Sequence, residues 1–465
     1  MANHGGVALR SRAGRGILGA TVLASGLAFL DSTVVNVALP TLGRELGAST
    51  AGLQWVVDAY LLSLSAFVLL GGSLGDVLGR KRSFLAGVIA FAVTSGLCGV
   101  ASSIGVLCFS RALQGAAAAL LVPNSLALVK DSMRAQDQDS AVGAWAGFSG
   151  ITSAAGPLLG GWLIETLSWR AVFFLNLPLA AAAVAIGHRC LPRDREARAG
   201  GVDVAGAVLA AVSLGAMAYA LIDGLAHGWG WGSGACGAIA LAALAAFLVR
   251  ERRARAPMLP LGLFEGRQFT AANLVTLALY FALSGAMFLI VLALQHGLGY
   301  SAFGSSLVLL PVAAILLVLS PLAGRLARRI GYRWPMAAGS ICSGVGLVLT
   351  ARAGLSADGF AALLAGMCVL GVGLGLAVAP LTAAVLNGVD DAKTGVGAAV
   401  NNAVARLAGL LGVAILPGIG GVSIAVTGDP FLESVRRSLL AAAAACAAGA
   451  AVSWFGVPRR PRAAA

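Results

Sequence analysis

Apolar residues run along this chain in long blocks, near 17–39, 53–72, 83–103, 105–127, 140–164, 171–189, 203–223, 231–250, 268–294, 303–323, 334–352, 359–386, 396–421 and 438–457. Each block has roughly the 20 residues that an α-helix needs to cross the hydrocarbon layer of a bilayer. Within a block, the charged residues that mark the wet face of a soluble helix are almost entirely missing. In hydrocarbon a helix satisfies its own backbone hydrogen bonds, which an open strand cannot do. The pattern therefore predicts an all-α polytopic membrane protein with fourteen spans.

Composition agrees. With 59% hydrophobic residues, 11% charged and a mean hydropathy of +0.90, too little polar surface exists to wrap a soluble core of 465 residues. The net charge of +13 would suit nucleic acid, but the positions of the cations exclude that reading. If the N-terminus is cytoplasmic, 25 of the 32 Lys and Arg residues fall in inside segments, including Arg10, Arg12, Arg15, Lys130, Arg134, Arg195, Arg198, Arg255, Lys393, Arg459, Arg460 and Arg462. Arg44, Arg170, Arg352, Arg436 and Arg437 fall outside, and Arg111 and Arg406 lie within helices. The asymmetry predicts that both termini are cytoplasmic and that the number of spans is even. It also allows some affinity for anionic lipid.

The basic N-terminus followed by an apolar run mimics a secretory leader. The run is too long, contains Asp31 and ends in Ala38-Leu39-Pro40 without a small-residue cleavage pattern, so it reads as a retained first span. Seven cysteines without a C-x-x-C pair suggest packing residues, with no disulfide framework, metal site or cofactor.

The basic segment around 188–198 divides the chain. The expected organisation is a six-helix lobe over 1–190, linkers with two inserted helices over 191–267, and a second six-helix lobe with a tail over 268–465. A weak repeat supports duplication: Gly72-Ser73-Leu74-Gly75-Asp76-Val77-Leu78-Gly79-Arg80-Lys81-Arg82 follows the second helix of the first lobe, and Pro321 to Arg333 follows the second helix of the last six. Paired lobes of this kind place a transport site between two rocking halves.

Most acids sit in loops or at helix ends. Asp31 lies deep in the first span and Asp58 somewhat shallower in the second. An acid in hydrocarbon is costly unless it is partnered, wetted or protonated, so both are candidates for loading and releasing a proton. A fixed hydrogen-bonded strut is the alternative for each. Arg111, Gln114, Gly115 and Ala118 share a helix face at i, i+3, i+4 and i+7, and Asp31 is the partner for Arg111 nearest in depth. A purely structural pair stays open. Gly143, Gly147, Gly150, Ala154, Gly156, Pro157, Gly160 and Gly161 form overlapping small-xxx-small patterns with a proline kink, read as tight packing or as a leak-proof pivot. Two decoys carry nothing. Gly71 to Gly75 matches G-x-S-x-G but ends a membrane helix instead of following a strand, and none of Lys81, Lys130 and Lys393 follows a glycine, so no nucleotide loop exists.

Taken together these residues resemble the major facilitator superfamily, and within it the fourteen-span drug:proton antiporters. Leu30 to Pro40 is similar to that subfamily's first-helix motif, Gly72 to Arg82 to the superfamily's loop motif, and Arg111 to Gly115 to the fourth-helix motif tied to proton transfer. Gly156 to Gly161 resembles the fifth-helix antiporter motif, and Trp169 to Pro178 a further hallmark. The resemblance implies a major facilitator fold in which Gly72, Gly75, Asp76, Gly79, Arg80 and Lys81 brace a cytoplasmic gate. It also implies that Asp31 with Arg111 couples protons to cargo, and that Gly150, Gly156, Pro157, Gly160 and Gly161 favour exchange. Thr152 departs from the pattern where the antiporter motif often has glycine.

The expected activity is proton-coupled efflux of lipophilic drugs or antibiotics by a non-enzyme, in a bacterial cytoplasmic membrane and as a monomer. Trp55, Tyr60, Gln114, Phe148, Tyr280, Phe281, Met287 and Phe288, with Asp31 and Asp58, are the candidate cavity lining. Such a lining suits an amphipathic molecule, and two acids would tolerate a cation. The aromatics serve equally as lipid-facing anchors. A transporter of a polar amino acid or sugar, and a non-transporting sensor or lipid-handling protein, remain as alternatives.

Overall fold

The computed structural model describes residues 6–194, 203–254, 259–356, 359–390 and 394–458. Arg195, Arg198, Arg255, Lys393, Arg459, Arg460, Arg462 and the C-terminal tail lie outside the described residues. Among the described residues the regular structure is helical. The extended segment after Gly6 makes one isolated bridge, Val7 with Met133.

Each apolar block became a helix, and most became longer than the block. The first half of the chain holds α1 (Arg12–Leu46), α2 (Thr50–Leu78), α3 (Arg80–Gly99), α4 (Ile104–Ser132), α5 (Ala135–Thr166), α6 (Trp169–Phe174) and α7 (Asn176–Cys190). Then follow α8 (Val204–His227), α9 (Trp231–Arg253), α10 (Arg267–Leu292), α11 (Ala302–Ile330), α12 (Arg333–Leu349), α13 (Phe360–Leu386), α14 (Thr394–Gly420) and α15 (Asp429–Gly456). Thirteen spans among the described residues are long and apolar enough to cross a bilayer, with α6 and α7 counted as one span. The 32-residue α5 makes the fourteenth long helix.

Three differences from the sequence expectation have local causes. Pro40 does not end the first span: α1 continues through it to Leu46, as proline can within a membrane helix when neighbours satisfy the freed carbonyl. The stretch from Gly72 to Leu78 is not a loop, because α2 runs to Leu78 and Gly79 alone separates it from α3. Gly79 has φ 102°, a conformation natural only to glycine. The sixth span is broken at Leu175 into α6 and α7. Pro178 lacks the N–H that would bond the carbonyl of Phe174, so the continuous ladder fails there.

The chain forms two compact units. One comprises residues up to Ala38 and Trp55–Ala211; the other comprises Leu39–Gln54 and the residues from Val212 onward. In the first unit, α3 packs on α4, α6 and α7, and α5 packs on α4 and α6. In the second, α13 lies between α11 and α12, while α10 packs on α14 and α15. The α1–α2 hairpin is part of the second unit's packing: Gln54 donates through Nε2 to the carbonyls of Val413 at 2.7 Å and Ala414 at 3.1 Å. Thr50 Oγ1 accepts from the backbone N–H of Ile424 at 3.0 Å.

Candidate functional site

The largest buried polar assembly of the first unit is built on α1, α2, α3, α4 and α7. Asp31 is 0% exposed and Arg111 is 1% exposed. They form an ion pair through Arg111 Nη1 and Asp31 Oδ2. Asp31 Oδ1 accepts from Gln114 Nε2 at 2.9 Å and from Asn176 Nδ2 at 3.2 Å. Arg111 Nη1 also donates to Gln114 Oε1 at 2.7 Å, and Arg111 Nε donates to the carbonyl of Val56 at 3.2 Å. The guanidinium lies over the Tyr60 ring, 4.2 Å from its centroid. Asn176 donates onward to Ser95 Oγ at 3.0 Å, and Ser95 donates to the carbonyl of Phe173 at 2.8 Å.

The helices deliver these groups for simple reasons. Arg111 and Gln114, three residues apart, share one face of α4. One residue further, Gly115 lets α2 approach until the place of its missing Cβ is filled by Ser63 Oγ and the carbonyl of Tyr60. That approach brings Val56 and Tyr60, one turn apart on α2, onto the arginine. Asp58 lies between them in sequence and so on the opposite side of α2. Its side chain is 0% exposed and neither carboxylate oxygen has a hydrogen-bond partner.

The expected cavity residues therefore separate. Asp31, Asp58, Tyr60 and Gln114 are each at most 1% exposed, and Phe288 is fully buried. Asp31, Tyr60 and Gln114 belong to the buried network around Arg111, and Phe288 is an interior packing group. Trp55, Tyr280, Phe281 and Met287 are half-buried, and Phe148 is 51% exposed on α5.

The expected gate residues lie at one end of the first unit. Arg80 donates to Asp76 at 2.9 Å and also pairs with Asp131 at the end of α4, so α2, α3 and α4 are tied together. Asp194 accepts from the backbone N–H groups of Lys81 at 2.7 Å and Arg82 at 3.2 Å, placing a negative charge on the N-terminus of α3. Lys81 Nζ reaches back to the carbonyls of His188 at 2.9 Å and Leu191 at 2.8 Å, at the C-terminus of α7. Gly75 fits because Asn124 of α4 occupies the space of a Cβ, while Gly72 meets Pro123 at 3.8 Å.

The glycine row of α5 is only partly a packing seam. Gly156 packs on Thr33 and Leu30 of α1, Gly160 packs on Val34, and Gly161 is buried. A Cβ at Gly143, Gly147 or Gly150 would meet nothing within 4 Å. The helix runs unbroken through Pro157. Thr152 packs against Gly26, whose Cβ would lie 3.3 Å from its methyl group. The small residue missing from α5 is supplied by α1.

Sequence reasoning missed Asn176, Ser95, Val56, Asp131 and Asp194. A polar Asn176 in the apolar run after Phe174 was a readable sign. The Val56 carbonyl left none, because a backbone acceptor is invisible in a side-chain pattern.

In a multi-pass helical protein, an ion pair buried among the helices marks a candidate functional site. The chain belongs to the Major Facilitator Superfamily, whose profile matches residues 21–413. It is 33% identical over 439 residues to the multidrug resistance protein Stp of Mycobacterium tuberculosis, covering 90% of this chain and 80% of that protein. It is also 33% identical over 410 residues to the tetracenomycin C resistance and export protein of Streptomyces glaucescens, covering 86% and 74%. Among solved structures, a peptide transporter in complex with sulfate matches with a TM-score of 0.68 at 14% identity, covering 96% of each chain. That likeness concerns the fold.

Proposed function

We propose that this protein exports amphipathic, drug-like molecules across the bacterial cytoplasmic membrane in exchange for protons, by alternating access. Both termini are assigned to the cytoplasm and each chain is taken to work as a monomer, with membrane lipid around it. Efflux is supported by relatives that carry resistance and export names over most of this chain. Proton coupling is supported by one observation above the others: the Asp31–Arg111 pair, buried in the first unit and completed by Gln114 and Asn176.

A buried ion pair is stable only while both charges persist. Adding a proton to Asp31 removes the acceptor that holds Arg111, which cannot itself deprotonate. The guanidinium then keeps only Val56, Gln114 and Tyr60, and the contacts among α1, α4 and α7 are re-set. That is a two-state element which a proton can bias. Asp58 is the second participant. A carboxylate with no donor in an apolar interior would be an uncompensated charge, and that isolation supports a part for Asp58 in proton exchange beside Asp31. Asp76, Arg80, Lys81, Asp131 and Asp194 brace the cytoplasmic end of the same unit.

The driving force is adequate. One net charge moved down about 100 mV yields about 2.3 kcal/mol, which sustains roughly a 50-fold gradient. The test is uptake of a fluorescent drug into proteoliposomes under an imposed pH gradient. The reading expects uptake that collapses when the gradient is dissipated and that is lost in Asp31→Asn; gradient-independent uptake contradicts it.

A further inference from the structure

In the second unit, α12 and α15 pack as an antiparallel pair with an open groove along their seam. Near the end of α15, Ser453 Oγ donates to the carbonyl of Arg333, at the start of α12, at 3.1 Å. At the other end of the pair Arg436 Nη2 donates at 2.6 Å to the carbonyl of Leu355, just beyond the π-helical turn Thr350–Gly354 that prolongs α12. Between these ties Gly344 lies against α15, the place of its missing Cβ 3.2 Å from the carbonyl of Ala443. Gly344 and Ala443 form the floor of the groove, and Ile341, Val345, Leu349 and Leu440 are its walls, each between 37% and 55% exposed. Its volume is about 440 Å³.

The apolar stripe ends on arginines. On α15, Arg436 and Arg437 precede Leu440 by four and three residues and so share its face. On α12 the row Ile341, Val345, Leu349 leads to Arg352, which is exposed one turn further on. Arg437 is 67% exposed and Arg436 31%; Glu433 lies 3.4 Å from the first and 3.5 Å from the second, with Asp429 a turn further out. The opposite end of the pair carries tryptophans. Trp334 and Trp454 meet edge to face at 4.6 Å, and Arg333 lies over the Trp454 ring, as at a membrane–water interface. Arg437 precedes Trp454 by 17 residues of one helix, a rise of about 25 Å against a hydrocarbon layer of about 30 Å. The arginines therefore stand at the headgroup level of the other leaflet, and the groove starts one turn deeper. Arg352, Arg436 and Arg437 are also three of the five cations that the charge asymmetry leaves outside.

We propose that the α12–α15 groove binds an anionic phospholipid, with the lipid phosphate on Arg352 and Arg437 and one acyl chain laid along Gly344 and Ala443. An arginine fork pairs with phosphate oxygens through parallel N–H bonds, and arginines at headgroup level favour anionic lipid. Arg436, held by the Leu355 carbonyl, fixes the end of α15 beside them. Charge decides between this occupant and a second copy of the chain. A two-fold axis along the membrane normal would bring the arginines of two copies to the same height, cation against cation, whereas a phosphate meets them with the opposite sign. A zwitterionic lipid brings a cation of its own to the same cluster. The site takes no part in the proton exchange proposed above, and its test needs no transport.

The experiment is native mass spectrometry of the purified full-length protein from detergent micelles that contain dioleoylphosphatidylglycerol and dioleoylphosphatidylcholine in equal amounts, two lipids that differ in headgroup alone. Wild type is expected to retain phosphatidylglycerol at least about tenfold over phosphatidylcholine. Replacing both contacts, Arg352→Gln with Arg437→Gln, should erase the preference, while Arg352→Lys with Arg437→Lys should keep most of it. Ala447 continues the floor of the groove and is exposed. Ala447→Phe should therefore fill the groove and lower phosphatidylglycerol retention with every arginine in place. Glycerol phosphate, a headgroup without chains, should not displace the lipid. Equal retention of the two lipids, a preference that survives loss of both arginines, retention untouched by Ala447→Phe, or displacement by glycerol phosphate overturns the site. A lipid-free dimer that Ala447→Phe dissociates gives the groove to a second copy and overturns it as well.

Discussion

Arg111 and Asp31, 80 residues apart in sequence, form an ion pair in which the two side chains are 2% and 0% exposed. The arginine spends its other donors on Gln114 and the carbonyl of Val56. One acid therefore anchors a cation that gathers α2 and α4, and whatever neutralises that acid loosens the whole cluster.

Replacing Asp31 by Asn keeps the shape and the contacts to Gln114 and Asn176 but leaves Arg111 uncompensated. Breaking one partner of a buried pair costs about 3–5 kcal/mol. The double replacement Asp31→Asn with Arg111→Gln should recover most of the thermal stability lost in the single variant while remaining inactive. Thermal unfolding of the purified proteins, combined as a double-mutant cycle, measures the coupling.

Arg111→Lys preserves charge and is still expected to fail. A lysine has no planar fork to serve Asp31, Gln114 and Val56 together, and it loses the flat stacking on Tyr60. Proton-driven drug uptake should fall by about tenfold or more, as expected for loss of one or two charge-assisted bonds. Uptake rates of wild type and variant at matched protein density check this.

Asp58→Asn removes a titratable group that has no hydrogen-bond partner to lose. Stability should change little. Exchange of drug across the membrane without a gradient should persist, while accumulation driven by a pH gradient should be lost or strongly reduced. Counterflow of labelled drug and pH-driven uptake, measured on the same vesicles, separate these two outcomes.

At the gate end, Asp194→Ala deletes the charge that caps α3 and the two backbone bonds to Lys81 and Arg82. A lost cap of this kind costs about 1 kcal/mol. Gly79→Ala is expected to be worse, because the residue holds φ 102° and Asp194 Oδ2 lies 2.6 Å from where the Cβ would be placed. Both effects should appear as lowered unfolding temperatures, larger for Gly79→Ala.

The helices were legible in the sequence because hydrocarbon enforces them: a block that cannot be wetted must satisfy its own backbone. Their ends were less so. The apolar stretch near 53–72 stops well before Leu78, since hydropathy counts Asp76 as a break, whereas its ion pair with Arg80 at the start of α3 holds that charge at the α2–α3 junction. The Asp31–Arg111 contact was readable from depth alone, since two buried charges of opposite sign have few other places to go. Asn176 was readable as a polar residue in an apolar run but its partners were not, and Ser95 was hidden, because a neutral polar residue names no partner until the helices are assembled. Glycine spacing along α5 identifies a smooth face without saying how much of it another helix covers.

Accumulation of a fluorescent drug in proteoliposomes of wild type and Asp31→Asn, under the same imposed proton gradient and at equal protein content, addresses proton exchange at Asp31 directly. The account predicts concentrative uptake by the wild type and none above protein-free vesicles by the variant, with the variant still eluting as a folded species. Full-rate, gradient-driven uptake by Asp31→Asn would contradict it.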